Sequence, residues 1–187
     1  MMDYLQETQA TMNTSDPTAL YIGTQTAALL TGKTVRTIHN WLESGAIEGK
    51  VVHAGHLPGG QLVRINLASL AKHIPVTVTD EFLECVKSAE EGDAQATTNV
   101  ATYFYDNPDT RKMAVHWFEL AAKRGSADAM HWLWDSYYHG YGVEPDFAIA
   151  IQWLGKAAQQ GAVLAQGVVE GLRKIDATLQ TQPQNPR

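Results

Sequence analysis

The sequence predicts a mainly α protein: a small α unit carrying a β-hairpin, followed by an α-helical repeat solenoid. Three observations predict it. Gly23 to Gly45 reads as two short helices joined by a tight turn. Residues 46–65 hold two β-rich runs around Pro58-Gly59-Gly60. The back half repeats one helical motif at an offset of 36 residues, a period that suits stacked helix pairs.

The first helix is expected over Thr24 to Leu30, with Ala27, Leu29 and Leu30 as its apolar residues. Thr31-Gly32-Lys33 is the turn, where Gly32 can take a positive φ without a Cβ clash. Thr34 is placed to cap the second helix. Ser44-Gly45 ends it. At 100° per residue Ile38, Trp41 and Leu42 share one face. Arg36 and Asn40 point away from it, Thr37 and His39 flank it, and Lys33 stands just before the helix. A short helix with an apolar back and a front of Arg, Asn, His and Thr suits a DNA major groove. There Arg pairs with guanine and Asn with adenine through two hydrogen bonds each. The hairpin of Val51–Leu57 and Gln61–Ile65 follows, and then a short helix, Leu67 to His73, capped by Asn66 and stopped by Pro75. Helix, turn, helix, hairpin, helix is the order of a winged helix-turn-helix.

The runs TAALLTGKTVRTIHNWLESGAI and VRINLASL make residues 20–75 resemble the MerR-like, excisionase-type winged-helix family. The resemblance implies double-stranded DNA as a partner. It maps DNA contact to Arg36, Thr37, His39 and Asn40, with Lys50 and Arg64 on the wing. Val35 and Asn40 depart from positions that are often basic in that family.

Charge divides the 187-residue chain. Residues 20–75 carry five Lys or Arg against two Asp or Glu; residues 81–176 carry eight against fourteen, and the whole chain is −6. A mildly basic front and an acidic back imply two domains with different partners. A front of only +3 is a weak footprint for phosphate. The domains expected are a flexible segment at 1–19, the DNA-binding unit at 20–75, a β-branched linker at 76–80 short enough to force docking, the repeats at 81–176 and a disordered tail at 177–187. One cysteine, Cys85, excludes an internal disulfide framework. No apolar run reaches the ~20 residues of a membrane span, and the N-terminus lacks a signal peptide's basic and apolar regions. A cytoplasmic protein without membrane contact is expected.

In the back half, Ala114 to Gly125 and Ala150 to Gly161 both read A-x-x-W-Φ-x-x-A-A-x-x-G, where Φ is apolar. A fainter copy ends at Gly92. After each Gly comes a small-residue helix start: Ala94 and Ala96, Ala127 and Ala129, Ala162 and Ala165. Alanines let the helices of a pair approach, and Trp117 and Trp153 are expected to fill the space between pairs. The stretch from Tyr138 to Gly161 resembles the Sel1-like repeat, a relative of the tetratricopeptide repeat. In the earlier copy Asp106-Asn107-Pro108-Asp109 replaces the Gly-x-Gly-Val loop. The resemblance covers residues 81–175 and implies a protein partner, bound where His131, Asp135 and Tyr138 stand off the apolar stripe of Met130, Leu133, Trp134 and Tyr137. The closing helix carries Val163, Leu164, Val168, Val169, Leu172 and Ile175, more apolar residues than one neighbouring pair can bury, so a homodimer is expected.

No G-x-S-x-G, P-loop, H-E-x-x-H or cysteine pair occurs. His53 and His56 read as solvated wing residues, since no Cys or carboxylate completes a metal site beside them. The expectation is no enzyme, no cofactor and no metal. The function expected is a sequence-specific DNA-binding transcription regulator whose repeats assemble it or recruit a partner. Two alternatives are a recombination directionality factor of a mobile element and a protein-interaction scaffold without DNA.

Overall fold

The computed structural model describes residues 19–53 and 61–181. The expectations for residues 1–18, His56, the Pro58-Gly59-Gly60 turn and residues 182–187 lie outside the described residues.

The front unit is built on β1 (Tyr21–Gly23), α1 (Thr24–Thr31), α2 (Val35–Glu43), β2 (Gly49–His53), β3 (Gln61–Asn66) and α3 (Leu67–Leu70), which tightens into a 3-10 turn at Ala71–His73. Gly32 closes α1 at φ +65. Thr34 caps α2, its hydroxyl accepting from the Thr37 N–H at 3.2 Å. The sheet order is β1-β3-β2, both pairs antiparallel, with Lys50 opposite Arg64 and Ile22 opposite Ile65. The sequence reading missed β1. Three residues are too few to show a period of two, and the strand exists because β3 offers a free edge. Gly49 is dictated by packing: a Cβ there would meet the Arg64 carbonyl oxygen at 2.7 Å and Leu42 Cδ1 at 2.9 Å. Ile22, Leu30, Ile38, Ile65, Leu67 and Leu70 form the core of this unit, all at 1% exposure or less.

The back unit is helical throughout: α4 (Asp80–Glu90), α5 (Ala94–Tyr105), α6 (Arg111–Lys123), α7 (Ala127–His139), α8 (Phe147–Gln159) and α9 (Val163–Thr181). α9 runs six residues past the Ile175 end expected for the closing helix, and so into the segment read as a disordered tail. The repeated Gly-(Asp/Ser)-Ala-x-Ala pattern has a local cause. Gly92 and Gly125 take positive φ, then Asp93 and Ser126 cap the next helix by accepting from the Ala96 and Ala129 N–H groups at 2.6 and 3.1 Å. The alanines that follow, Ala96 and Ala129, are buried at the helix contact, as is Ala165 in α9.

The two units share one core. Phe82, Val86 and Ala89 of α4 are buried in the same cluster as Ile22 and Leu30. Glu90 ties the units together. Its carboxylate accepts from the Gly23 N–H at 2.8 Å, the Thr26 hydroxyl at 2.5 Å and Arg64 Nη1 at 2.6 Å. The short linker therefore docks the units: Val76 and Val78 pack on the core, and Thr79 caps α4 through the Phe82 N–H.

Candidate protein-interaction surface

α7 is the helix on which the exposed chemistry gathers. Its inner face buries Met130, Leu133 and Ser136. Its outer face carries a run of rings. His131 lies 5.0 Å from Trp134, Trp134 lies 6.0 Å from Tyr138, and Tyr138 lies 5.9 Å from Phe147 at the start of α8. Tyr138 is 47% exposed and Phe147 65%. His139 continues the run, 4.8 Å from Tyr138 and 5.2 Å from Tyr141. Partly exposed aromatic rings at a helix seam are the residue types that anchor protein interfaces.

Of the three residues expected to stand open, only Tyr138 does. Asp135 faces inward, accepting a hydrogen bond from the Tyr105 hydroxyl, with His139 Nε2 at 3.4 Å on its other oxygen. This bond links successive repeats, and burial together with Asp135 pushes the Tyr105 phenol well above its usual range. His131 is half-buried and its Nδ1 has no partner. Burial holds its pKa below the ordinary value, although Asp135 and Asp128 pull the other way. The sequence reading missed Phe147. Its signal was a large apolar residue at the first position after the capping Asp146, where a helix has no preceding turn to cover it.

The DNA-facing residues expected on the front unit divide. Lys33, Arg36 and Asn40 are exposed along the turn and α2, whereas Thr37 and His39 are half-buried. Thr37 Oγ1 sits 3.0 Å from the Thr34 hydroxyl. Trp41 turns inward and stacks on His73 at 4.1 Å. Lys50 is exposed but its Nζ lies 3.7 Å above the Tyr21 ring. Arg64 is not a free cation on the hairpin: it is the Glu90 partner described above. The carboxylate comes to it from α4. Among the described residues no group of three or more His, Cys, Asp or Glu could hold a metal ion, and no helix is long and apolar enough to cross a membrane.

Stacked helix pairs capped in register, with rings meeting from pair to pair, define a helical-repeat fold. Residues 94–126 and 127–161 are Sel1 repeats by match to that family's model, which places α5 with α6 and α7 with α8. Residues 20–75 lie outside that match. Solved structures similar to the chain include a Sel1 repeat protein from Oxalobacter formigenes, at 31% identity over 49% of this chain and 28% of that one, with a TM-score of 0.45. Another is c5321, a protective antigen of uropathogenic Escherichia coli displaying an SLR fold, at 30% identity over 45% of this chain and 19% of that one, with a TM-score of 0.41. A third is the cysteine-rich protein B of Helicobacter pylori, at 18% identity over 54% of this chain and 78% of that one, with a TM-score of 0.45. The chain thus spans less than a third of the length of the first two. No curated protein matches it.

Proposed function

We propose that the protein is an interaction scaffold that binds a partner segment on the outer face of α7 and the start of α8. The observation that carries this reading is the ring run of half-buried Trp134 with exposed Tyr138 and Phe147 on a Sel1 repeat. The repeat domain carries a net charge of −6, so the complementary partner is a basic segment with apolar anchors. Selection of peptides from a random displayed library against the full chain tests it. The peptides recovered should be basic and aromatic or aliphatic. Tyr138→Ala with Phe147→Ala should weaken them by about tenfold or more, the loss of two interface anchors. Undiminished binding to that variant would move the interface elsewhere.

A second reading is that the front unit binds double-stranded DNA as a regulator, or as a directionality factor of recombination. The exposed trio of Lys33, Arg36 and Asn40 on a short helix favours it. Selection of bound fragments from a random DNA pool, followed by Arg36→Ala, is the test. A specific reader should lose about 1–3 kcal/mol and its preference at one base pair. Failure to enrich any sequence leaves the scaffold reading alone. A homodimer would help such weak contact, and the exposed Val163, Leu164, Leu172 and Ile175 of α9 supply apolar area for one. Light scattering at tens of micromolar reads it directly.

A further inference from the structure

Among the described residues a cleft opens where the turn before α2 meets α6, and it shares Lys33 with the exposed trio of the front unit. Its volume is about 820 Å³, within the range of small-ligand sites. The floor is apolar and comes from both units: Leu29 and Val35 from the front, Met113 from α6, with Pro75 beside them. The approach is close. A Cβ on Gly32 would meet Met113 Sδ at 3.0 Å.

The rim is cationic. Lys33 and Lys112 border the cleft, and among the described residues neither has a carboxylate within ion-pair distance. His116 also borders it, its Nδ1 3.7 Å from Glu119 outside the cleft. Asp109 is the one carboxylate among the lining residues. The N-terminal ends of α2 and α6 reach the cleft as well, through Thr34 with Val35 and Thr110 with Lys112. Both ends carry the positive pole of a helix. An apolar floor beneath two unpaired ammonium groups and two helix N-termini suits one kind of ligand: a flat or branched apolar body carrying a single negative group. A nucleic-acid backbone would leave the floor bare, and a neutral apolar molecule would leave the lysines unused.

We propose that this cleft binds a small amphipathic carboxylate, which would bridge α2 to the repeat domain. The apolar body sits on Leu29, Val35 and Met113, and the carboxylate lies between Lys33 and Lys112. Such a ligand touches the turn that positions Arg36 and so couples the front unit to the repeats.

The test uses the full chain labelled with 13C at the methionine methyls, the Met113 signal being assigned by Met113→Leu. The probe is 2-naphthoate, with 2-naphthalenemethanol as its neutral counterpart and inorganic phosphate as a bare anion. The Met113 methyl should shift saturably with 2-naphthoate. The alcohol should bind roughly tenfold more weakly, the difference expected of one charge-assisted contact. Lys33→Gln with Lys112→Gln should weaken 2-naphthoate by about tenfold or more while leaving the alcohol unchanged. Both lysines are exposed, so the fold survives, and Lys112→Gln alone gives a second reading outside the α2 turn. A Met113 methyl that ignores 2-naphthoate, responds equally to acid and alcohol, or moves as far with phosphate would overturn the proposal. Equal binding by the lysine variants would do the same.

Discussion

The two Sel1 repeats carry the same motif and bury it differently. In the first, Trp117 is 1% exposed, and Phe118 stacks on Trp132 of the next repeat at 5.8 Å and 10°. Tyr105 is buried against the same ring and donates to Asp135. In the second repeat the equivalent residues are Trp153, only partly buried, and Tyr138, 47% exposed. The difference lies in the helix that follows. α7 offers Trp132 and Asp135 to the first repeat; at the matching places α9 offers Val168 and Gly171. Tyr138 therefore has no acceptor where Tyr105 has one. The expectation that both tryptophans fill the space between pairs is met fully by Trp117, whereas Trp153 packs against the core only in part, its ring lying beneath Lys156 Nζ at 4.3 Å. The second copy keeps Ala150, Leu154 and Ala157 buried, but its Trp is only partly covered and its Tyr is exposed, because the neighbour decides how far each ring is buried.

The largest expected effect follows from that contrast. Trp117→Ala should cost roughly 3–5 kcal/mol, the usual range for a fully buried large aromatic. Its indole N–H has no partner, so no hydrogen bond adds to the loss. Trp153→Ala should cost less than half as much, since its ring keeps solvent contact. Urea unfolding of both variants measures the gap. Equal losses would mean that the second repeat is covered in solution, as a homodimer through α9 would cover it.

A second pair sharpens the comparison at the repeat ends. Arg124 Nη1 donates to the Ala89 carbonyl at 2.7 Å and to the Thr97 hydroxyl at 2.5 Å, stitching α6 back to α4 and α5. Its counterpart Gln160 is exposed. Arg124→Ala should cost about 1–3 kcal/mol because it strands part-buried acceptors. Gln160→Ala should stay within about 0.5 kcal/mol. A cost of similar size at both positions would mean that Arg124 acts through general helix stability rather than through those acceptors.

Much of this was legible in the sequence. The Gly32 turn, the Thr34 and Asn66 caps and the helix pairs rest on local rules of backbone conformation and capping, and those rules act within a few residues. Arg64 shows where such reading ends. Nothing within twenty residues of Arg64 tells that Glu90 will reach it, and the ion pair took it from the expected hairpin contacts. The inward turn of Asp135 was hidden for the same reason, as was the partial burial of His131. Helical spacing places both off the apolar stripe of α7, yet α5 brings Tyr105 to Asp135 and Trp134 lies 5.0 Å from His131. The cleft beneath Lys33 and Lys112 was not legible at all, since its two walls lie some eighty residues apart in the chain.

The smallest effect separates the repeats by titration. Counting along the first helix of each repeat, His131 stands where the first repeat has Thr98 and α9 has Gly167. Thr98 is 2% exposed and shares a 2.8 Å hydrogen bond with Ser126; neither it nor Gly167 titrates near neutrality. His131 does, and burial lowers its pKa in the folded chain despite Asp135 and Asp128. The unfolded chain keeps the ordinary value of about 6.5. Below that pH the unfolded state takes up a proton that the native state still refuses, so it binds more protons and stability rises with pH. The contribution is complete above the unfolded pKa. It is lost progressively as pH falls from about 6.5 to the native value, and is constant below that. The chain has seven histidines, so the reading must be a difference. Denaturant midpoints of wild type and His131→Gln, followed from pH 8 down to pH 5, should diverge in slope only below about 6.5, the variant losing less stability on acidification. Parallel curves would mean that His131 titrates alike in folded and unfolded chains, and that the α7 face is more open than its burial implies.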